Sequence, residues 1–145
     1  MANNSRYDRI TKKKPPASTD QFAQPTSLRD YNQSTPLFCL NHLHTDYDVK
    51  ALEDKDKQAQ LALAMHKCAR RRWIDIHQAG RHGGGTESIP ADQIKAPIPP
   101  KFADQEKFTA FRYHGLLPMV GVRINDVFHV LWIERQFGDV YDHGD

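Results

Sequence analysis

Residues 107–133 have the sequence KFTAFRYHGLLPMVGVRINDVFHVLWI, and this stretch decides the fold. It contains three runs rich in β-branched and aromatic residues, which favour strands: Lys107–Tyr113, Pro118–Ile124 and Val127–Ile133. Two short pairs separate the runs, His114–Gly115 and Asn125–Asp126. Glycine and asparagine accept the positive φ angles that two-residue hairpin turns require. The stretch therefore predicts a three-stranded antiparallel meander.

Two helices are predicted upstream of the meander. The segment Val49–Arg71 lacks Gly and Pro and is rich in Ala, Leu, Lys and Gln, which favour helices. Thr45 or Asp46 is its expected N-terminal cap. A buried stripe is expected along it, because four residues recur at helical spacing: Leu61, Ala64, Met65 and Cys68. A shorter helix, Trp73–Gly80, is expected to end before the glycine run 83–85.

The remaining segments complete an α+β fold. A short strand is predicted over Leu37–His44, and the proline-rich stretch 90–100 predicts a loop or extended crossover with a single strand near Ile94. The order is β-α-α-β-β-β, which predicts an antiparallel sheet packed on a helical hairpin. Residues 36–145 are the predicted single domain, and residues 134–145 form its tail.

Residues 1–35 are predicted to be a flexible arm. They contain the basic run Lys12–Lys14, followed by Ser, Thr, Gln and Pro, and they show no apolar periodicity. Such a composition buries too little apolar surface to offset the entropy lost on ordering. The basic run could contact phosphate, but a solubilising tail is the simpler interpretation.

The composition points to a cytoplasmic protein without membrane partners. No apolar run approaches the ~20 residues that span a membrane, and the polar N-terminus has no secretory pattern. Two cysteines, Cys39 and Cys68, do not make a disulfide framework. The net charge of +2 is too small to indicate nucleic acid by itself, so the positions of the charges matter more.

Strand alternation assigns side chains to the two faces of the meander. With two-residue turns at both hairpins, one face is apolar and should pack on the helices: Phe111, Tyr113, Val120, Val122, Ile124, Val127, His129, Leu131 and Ile133. His129 is expected there as a hydrogen-bonded core histidine. Arg112 and Arg123 should share the open face with exposed aromatic residues such as Trp132, which suits nucleotide stacking and phosphate binding. A bulge at either turn would move one arginine to the other face.

This order of elements resembles the RelE/ParE-like toxins of bacterial toxin–antitoxin pairs. The residues that carry the resemblance are Phe111–Tyr113, Gly121–Arg123, Phe128–Ile133 and the closing Tyr141–His143. The arm, the proline-rich crossover and the long tail depart from the family pattern. The resemblance implies a ribonuclease that cleaves mRNA on the ribosome, needs no cofactor and is held inactive by an antitoxin protein. The ParE branch targets a topoisomerase and is not a nuclease, so fold does not settle function.

Four residues are the candidate catalytic group for RNA cleavage: Arg112, Arg123, Tyr141 and His143. Attack by the 2′ hydroxyl requires a base, an acid and cations that stabilise the phosphorane. Arginine grips phosphate through its planar fork, and histidine exchanges protons near neutral pH. Each candidate also has a structural interpretation, as a solvated strand residue, a packing tyrosine or a frayed terminus.

Six further residues are candidates for RNA binding: Lys107, Trp132, Arg70, Arg71, Arg72 and Arg81. The arginine run also complements the negative end of the helix dipole, which is an equally good explanation. A zinc site made from the pairs His42/His44 and His66/Cys68 is disfavoured. Residues i and i+2 share a face on a strand but diverge on a helix, so no metal is predicted.

The leading hypothesis is a toxin-like, metal-independent endoribonuclease. The alternative is a non-catalytic protein of phage, plasmid or genomic-island origin that uses the basic-aromatic face to inhibit a host protein or bind nucleic acid. Whether the protein is an enzyme stays open at this point.

Overall fold

A computed structural model describes residues 29–144. The helices and strands follow the chain in this order: β1 (Leu37–Cys39), α1 (Lys55–Cys68), α2 (Trp73–Ala79), β2 (Thr86–Pro90), β3 (Lys107–His114), β4 (Leu117–Ile124) and β5 (Val127–Ile133). Residues from Tyr31 onward form one compact unit. The α+β class and the helices ahead of the meander agree with the sequence prediction. Most of the predicted flexible arm, residues 1–28, lies outside the described residues.

The five strands form one mixed sheet in the order β1-β5-β4-β3-β2. The sheet is not purely antiparallel, because β1 runs parallel to β5 at one edge. At the other edge β2 pairs with β3 over Thr86–Pro90, whereas the sequence predicted one short strand near Ile94. Ile94 instead makes an isolated bridge with Tyr141. A proline at the end of an edge strand is well tolerated, since no ladder hydrogen bond is lost there.

The hairpin between β4 and β5 has the predicted register, with Arg123 opposite Phe128 and Ile124 opposite Val127. Asn125 supplies the positive φ angle of that turn, at +58°. The hairpin between β3 and β4 does not have the predicted register. Its turn is formed by residues 115–116, and Phe111 pairs with Met119. A shift of one residue moves every side chain of one strand to the other face.

A bulge between Val120 and Gly121 also breaks the predicted alternation. Val120 pairs with Trp132 while Gly121 pairs with Val130, so Leu131 is the extra residue on β5. A Cβ atom on Gly121 would lie 1.9 Å from the carbonyl oxygen of His129. Only glycine fits this approach of two backbones.

Both faces of the sheet are buried. The face toward the helices carries one core cluster, whose sheet residues are Phe111, Tyr113, Met119, Phe128, Val130 and Ile133. The predicted stripe of α1 packs here, with Leu61 and Cys68 buried and Ala64 and Met65 partly buried. Val120, Val122 and Leu131 were predicted on this face but belong to a second cluster on the opposite face.

An outer layer covers the face that was predicted to be open. It consists of residues 91–104 and the tail after β5, which are hydrogen-bonded to each other: the backbone N–H groups of Lys95 and Ala96 both donate to the carbonyl oxygen of Val140. Phe108 and Trp132 lie under this layer, and Tyr141 belongs to it; all three are at most 2% exposed. The predicted surface of exposed aromatic side chains is therefore wrong.

Helix α1 begins later than predicted, at Lys55. Asp54 caps it, and its carboxylate accepts hydrogen bonds from the backbone N–H groups of Asp56 and Lys57. Glu53 has a φ angle of +58°, which ends the preceding short 3₁₀ turn Lys50–Leu52. A left-handed residue followed by a strong capping residue fixes the start of the helix here, and not at Thr45 or Asp46.

The folded unit includes residues ahead of the predicted boundary at residue 36. The short 3₁₀ turn Tyr31–Gln33 lies beside α2. The carbonyl oxygen of Ser34 accepts a hydrogen bond from the Trp73 backbone N–H, and Arg72 donates to the Gln33 side chain. Among residues 29–144, no helix is both long and apolar enough to cross a membrane.

Candidate nucleic-acid interface

The two arginines predicted to share a face are on opposite faces of the sheet. The Arg123 guanidinium stacks over the Trp73 ring of α2, with 4.4 Å from its carbon to the ring centroid. It also donates to the Asn125 carbonyl oxygen and to the Asn32 side chain. Arg112 alternates with the helix-facing Phe111 and therefore belongs to the outer face. It lies beyond Phe111, the last β3 residue that pairs with β2, so among the described residues it is at an unpaired edge of the sheet. The predicted pair of phosphate-binding arginines is not formed.

Three other residues singled out from the sequence have different environments. Trp132 is buried and donates through its indole N–H to the carbonyl oxygen of Pro97. Lys107 is exposed at the start of β3, five residues (about 17 Å) from Arg112. His129 lies on the outer face, and its buried Nδ1 atom lacks a hydrogen-bond partner among the described residues. It is not the hydrogen-bonded histidine that was predicted on the helix face.

A groove runs between the C-terminal end of α1 and the end of β3. Its narrower part has a volume of about 240 Å³ and is lined by Gln60, Leu63, Ala64, Lys67, Cys68, Arg71, Gly84, Arg112 and Tyr113. A wider part of about 590 Å³ continues along the helix and is lined by Leu63, His66, Lys67, Arg70 and Arg71. We call these two parts together the cationic groove. Its lining includes four full positive charges and no carboxylate.

Local structure explains why the positive charges collect there. Leu63 and Lys67 are four residues apart in α1, so they lie on one side of the helix. Arg71 follows the end of the helix. Gly84 has a φ angle of +76°, and its carbonyl oxygen accepts a hydrogen bond from Arg71 Nη1 at 3.1 Å. The glycine loop thereby fixes one guanidinium at the groove.

Among residues 29–144, the basic side chains of the groove have no carboxylate partner, whereas two neighbouring arginines form ion pairs. Arg72 forms an ion pair with Asp75 at 3.0 Å, and Arg81 forms one with Glu87 at 3.1 Å. Within the described part of the chain, Lys67, Arg70, Arg71 and Arg112 pair with no carboxylate. Of the sequence-predicted RNA-binding residues, Arg70 and Arg71 therefore keep their charge available, whereas Arg72 and Arg81 do not.

A buried carboxylate–imidazole pair lies at the same end of the sheet. Glu134 follows β5 directly, is fully buried, and contacts His143 Nε2 through Oε1 at 2.6 Å. Its other oxygen accepts a hydrogen bond from the Val140 backbone N–H. Burial raises the pKa of the Glu134 carboxyl, while those hydrogen bonds and the His143 charge oppose the rise.

Aromatic rings hold His143 in place. Its imidazole stacks on Tyr141 at 3.9 Å and on Phe137 at 4.0 Å between ring centroids. Burial raises the pKa of the Tyr141 hydroxyl, and nearby Glu87 and Glu134 raise it further. The positive charge of Arg112 lowers it, so Arg112 lies within electrostatic reach of Tyr141. Three of the four predicted catalytic residues thus collect at this end, and Arg123 does not.

Sequence reasoning missed two residues of this region. Lys67 lies on the predicted helix but gave no signal apart from its charge. Glu134 directly follows a strongly apolar strand, but acidic residues are almost never fully buried unless paired, so its burial was not predictable from the sequence. No group of three or more potential metal-ligating side chains forms among residues 29–144. A comparison of the chain with protein-family models, curated proteins and solved structures finds no match.

Proposed function

We propose that this protein binds the phosphate backbone of RNA in the cationic groove. The observation that carries the proposal is the convergence of Lys67, Arg70, Arg71 and Arg112 without a carboxylate partner. The helix end adds a partial charge of only about −0.5, which four full positive charges outweigh. Phosphate would satisfy these charges, and binding it releases counterions from the RNA.

A second function, RNA cleavage, is favoured by the position of Arg112. Arg112 lines the groove, and its positive charge lowers the pKa of Tyr141. The Tyr141 ring stacks on His143. A phosphate held by Arg112 would therefore lie toward the imidazole. RNA contains its own nucleophile, the 2′ hydroxyl, so a cation and a proton-transfer group suffice for cleavage.

The cleavage step assigns a role to each residue. The 2′ oxygen attacks phosphorus as its proton passes to His143. The P–O5′ bond then breaks as His143 returns that proton to the 5′ oxygen, which leaves a 2′,3′-cyclic phosphate and a 5′ hydroxyl. His143 serves as the proton-transfer group and Glu134 positions it. Arg112 stabilises the phosphorane. Tyr141 keeps its proton because its pKa is raised, so it can donate a hydrogen bond but cannot act as the base.

The resemblance to RelE/ParE-like toxins gives this activity a cellular setting. In that setting the protein cleaves mRNA on the ribosome and an antitoxin protein neutralises it. The order of the strand, the helices and the meander supports this setting. The separation of the two arginines removes the paired phosphate grip that strand alternation had predicted, so RNA binding in the groove is the better supported part of the proposal.

Reversing two groove charges should abolish most RNA binding. We expect Lys67→Glu with Arg71→Glu to weaken the affinity for a short single-stranded RNA by about 100-fold or more, because two phosphate contacts become repulsive. Fluorescence anisotropy with labelled RNA measures this. Lys50→Glu with Lys55→Glu is the matched control, since both lysines are exposed near the other end of α1. Equal losses in the two double variants would contradict the groove as the binding site.

Removing the Arg112 charge should lower the rate of RNA cleavage more than it lowers the affinity for RNA. We expect Arg112→Gln to lower the single-turnover cleavage rate by about 100-fold and RNA affinity by only about 10-fold, because the phosphorane carries more charge than the bound phosphate. Arg123→Lys is the control and should cleave at the wild-type rate. Wild-type cleavage by Arg112→Gln, or no cleavage by the wild-type protein, would overturn the catalytic proposal and leave RNA binding to stand alone.

A further inference from the structure

Three basic side chains from three separate segments meet on the outer face of the sheet, away from the cationic groove. His42 follows β1, Lys101 lies in the 3₁₀ turn Pro100–Phe102, and His129 lies on β5. The imidazoles of His42 and His129 are 5.7 Å apart between ring centroids. Both rings also pack on Phe102, at 5.4 and 6.0 Å, so this buried phenyl ring fixes their spacing.

No carboxylate of the described chain neutralises this basic cluster. Lys101 Nζ lies 3.4 Å from His42 Nε2, so the ammonium is within hydrogen-bond distance of that imidazole. His129 pairs across the parallel strands with Cys39, and burial, His42 and Lys101 together lower its pKa. Asp46 lies 4.0 Å from the Nδ1 atom of the neighbouring His44, and its backbone N–H also donates to that atom.

The cluster borders an open cleft. The cleft has a volume of about 400 Å³, and its lining combines His42 and His44 with the prolines of the crossover: Asn41, His42, Leu43, His44, Thr45, Pro97, Ile98, Pro99 and Pro100. This volume is typical of small-ligand pockets. The buried Nδ1 of His129 has no hydrogen-bond partner within residues 29–144, and such an atom usually has one in a folded protein.

We propose that His42, Lys101 and His129 form a binding site for a small molecule that carries a phosphate monoester. A dianion would accept hydrogen bonds from the ammonium of Lys101 and from an imidazolium at His42, and it would neutralise the repulsion among the three groups. The apolar walls of the cleft would hold the rest of the molecule.

This site is distinct from the RNA groove. His129 is opposite Val122, whereas Arg112 is opposite Pro118, so the two sites are four residues, about 13 Å, apart along β4. The proposal therefore does not depend on RNA binding.

Inorganic phosphate is the probe, and the imidazole carbon-bound proton resonances of His42 and His129 are the readout. We expect phosphate to shift both resonances at about pH 7, where its dianion is populated, with a Kd near 1 mM, and to bind about 10-fold more weakly in Lys101→Gln. Lys101 is exposed, so this variant should fold. The Lys67→Glu, Arg71→Glu protein should retain the shifts, which separates this site from the groove.

Three results would overturn the proposal. They are unshifted histidine resonances at about 10 mM phosphate, shifts of equal strength in Lys101→Gln, and equal binding of acetate. The last result would show that the site has no preference for a dianion. Lys107→Gln serves as the control for the loss of an exposed lysine and should bind phosphate like the wild-type protein.

Discussion

Replacing Gly121 with alanine should destabilise the folded domain by about 4 kcal/mol or more. The new Cβ would lie 1.9 Å from the His129 carbonyl oxygen, 2.9 Å from its carbon and 3.0 Å from the Val130 Cα. All three atoms are backbone, so no side-chain rotation relieves the contact. The bulge would have to open, and hydrogen bonds between β4 and β5 would be lost with it.

Urea unfolding followed by circular dichroism measures this loss. Gly115→Ala is the matched control, because Gly115 has a φ angle of +58° but open space around the position of a Cβ. Its cost should be about 1 kcal/mol. If Gly121→Ala costs no more than Gly115→Ala, the bulge is not as described and the assignment of faces fails with it.

Removing the Trp73 side chain should cost about 3–5 kcal/mol of stability. Trp73 is 2% exposed and packs between Phe111 and Phe128 at 5.9 and 6.4 Å between ring centroids. Its indole N–H donates to the carbonyl oxygen of Asp126. Truncation leaves a cavity at the contact between α2 and the sheet, and the acceptor at the β4–β5 turn loses its donor.

The same unfolding measurement tests Trp73→Ala, with Trp73→Phe as the partial variant. Phenylalanine keeps the aromatic contacts but loses the hydrogen bond and some volume. We therefore expect Trp73→Phe to lose at most half as much stability as Trp73→Ala. The Arg123 guanidinium should also lose its platform, because it stacks on this ring. A cost below about 1 kcal/mol for Trp73→Ala would contradict the packing of α2 on the sheet.

The meander was predictable because its signals are local. Strand β5 was predicted with its observed ends, and the register at residues 125–126 followed from turn chemistry alone. The faces were not predictable, because two irregularities interrupt the simple alternation of the strands. The bulge at Gly121 and the shifted turn at Gly115 each change which side chains share a face. The alternation of residues along a strand does not reveal such shifts.

The outer layer was missed for a different reason. The proline-rich crossover has no apolar periodicity, so the sequence predicted a loop there and left one face of the sheet open. Its few apolar residues, such as Ala96 and Phe102, are buried on the sheet only because the tail returns to pair with it. Contacts between segments far apart in sequence leave no local pattern.

The candidate site was predictable in part. Arg70 and Arg71 follow from a run of like charge at a helix end, and Tyr141 and His143 follow from their residue types. Which cations remain without an acidic partner could not be predicted, because the partners of Arg72 and Arg81 are set by the structure around α2 and β2. The pairing of Glu134 with His143 depends on the course of the tail.

The salt dependence of RNA binding tests the central claim most directly. Each phosphate of a single strand that is neutralised contributes about −0.7 to the slope of the logarithm of the association constant against the logarithm of salt concentration. Four contacts, from Lys67, Arg70, Arg71 and Arg112, predict a slope of about −2.8. The Lys67→Gln, Arg71→Gln variant should show about −1.4. A slope near zero, or the same slope in both proteins, would contradict RNA binding in the cationic groove.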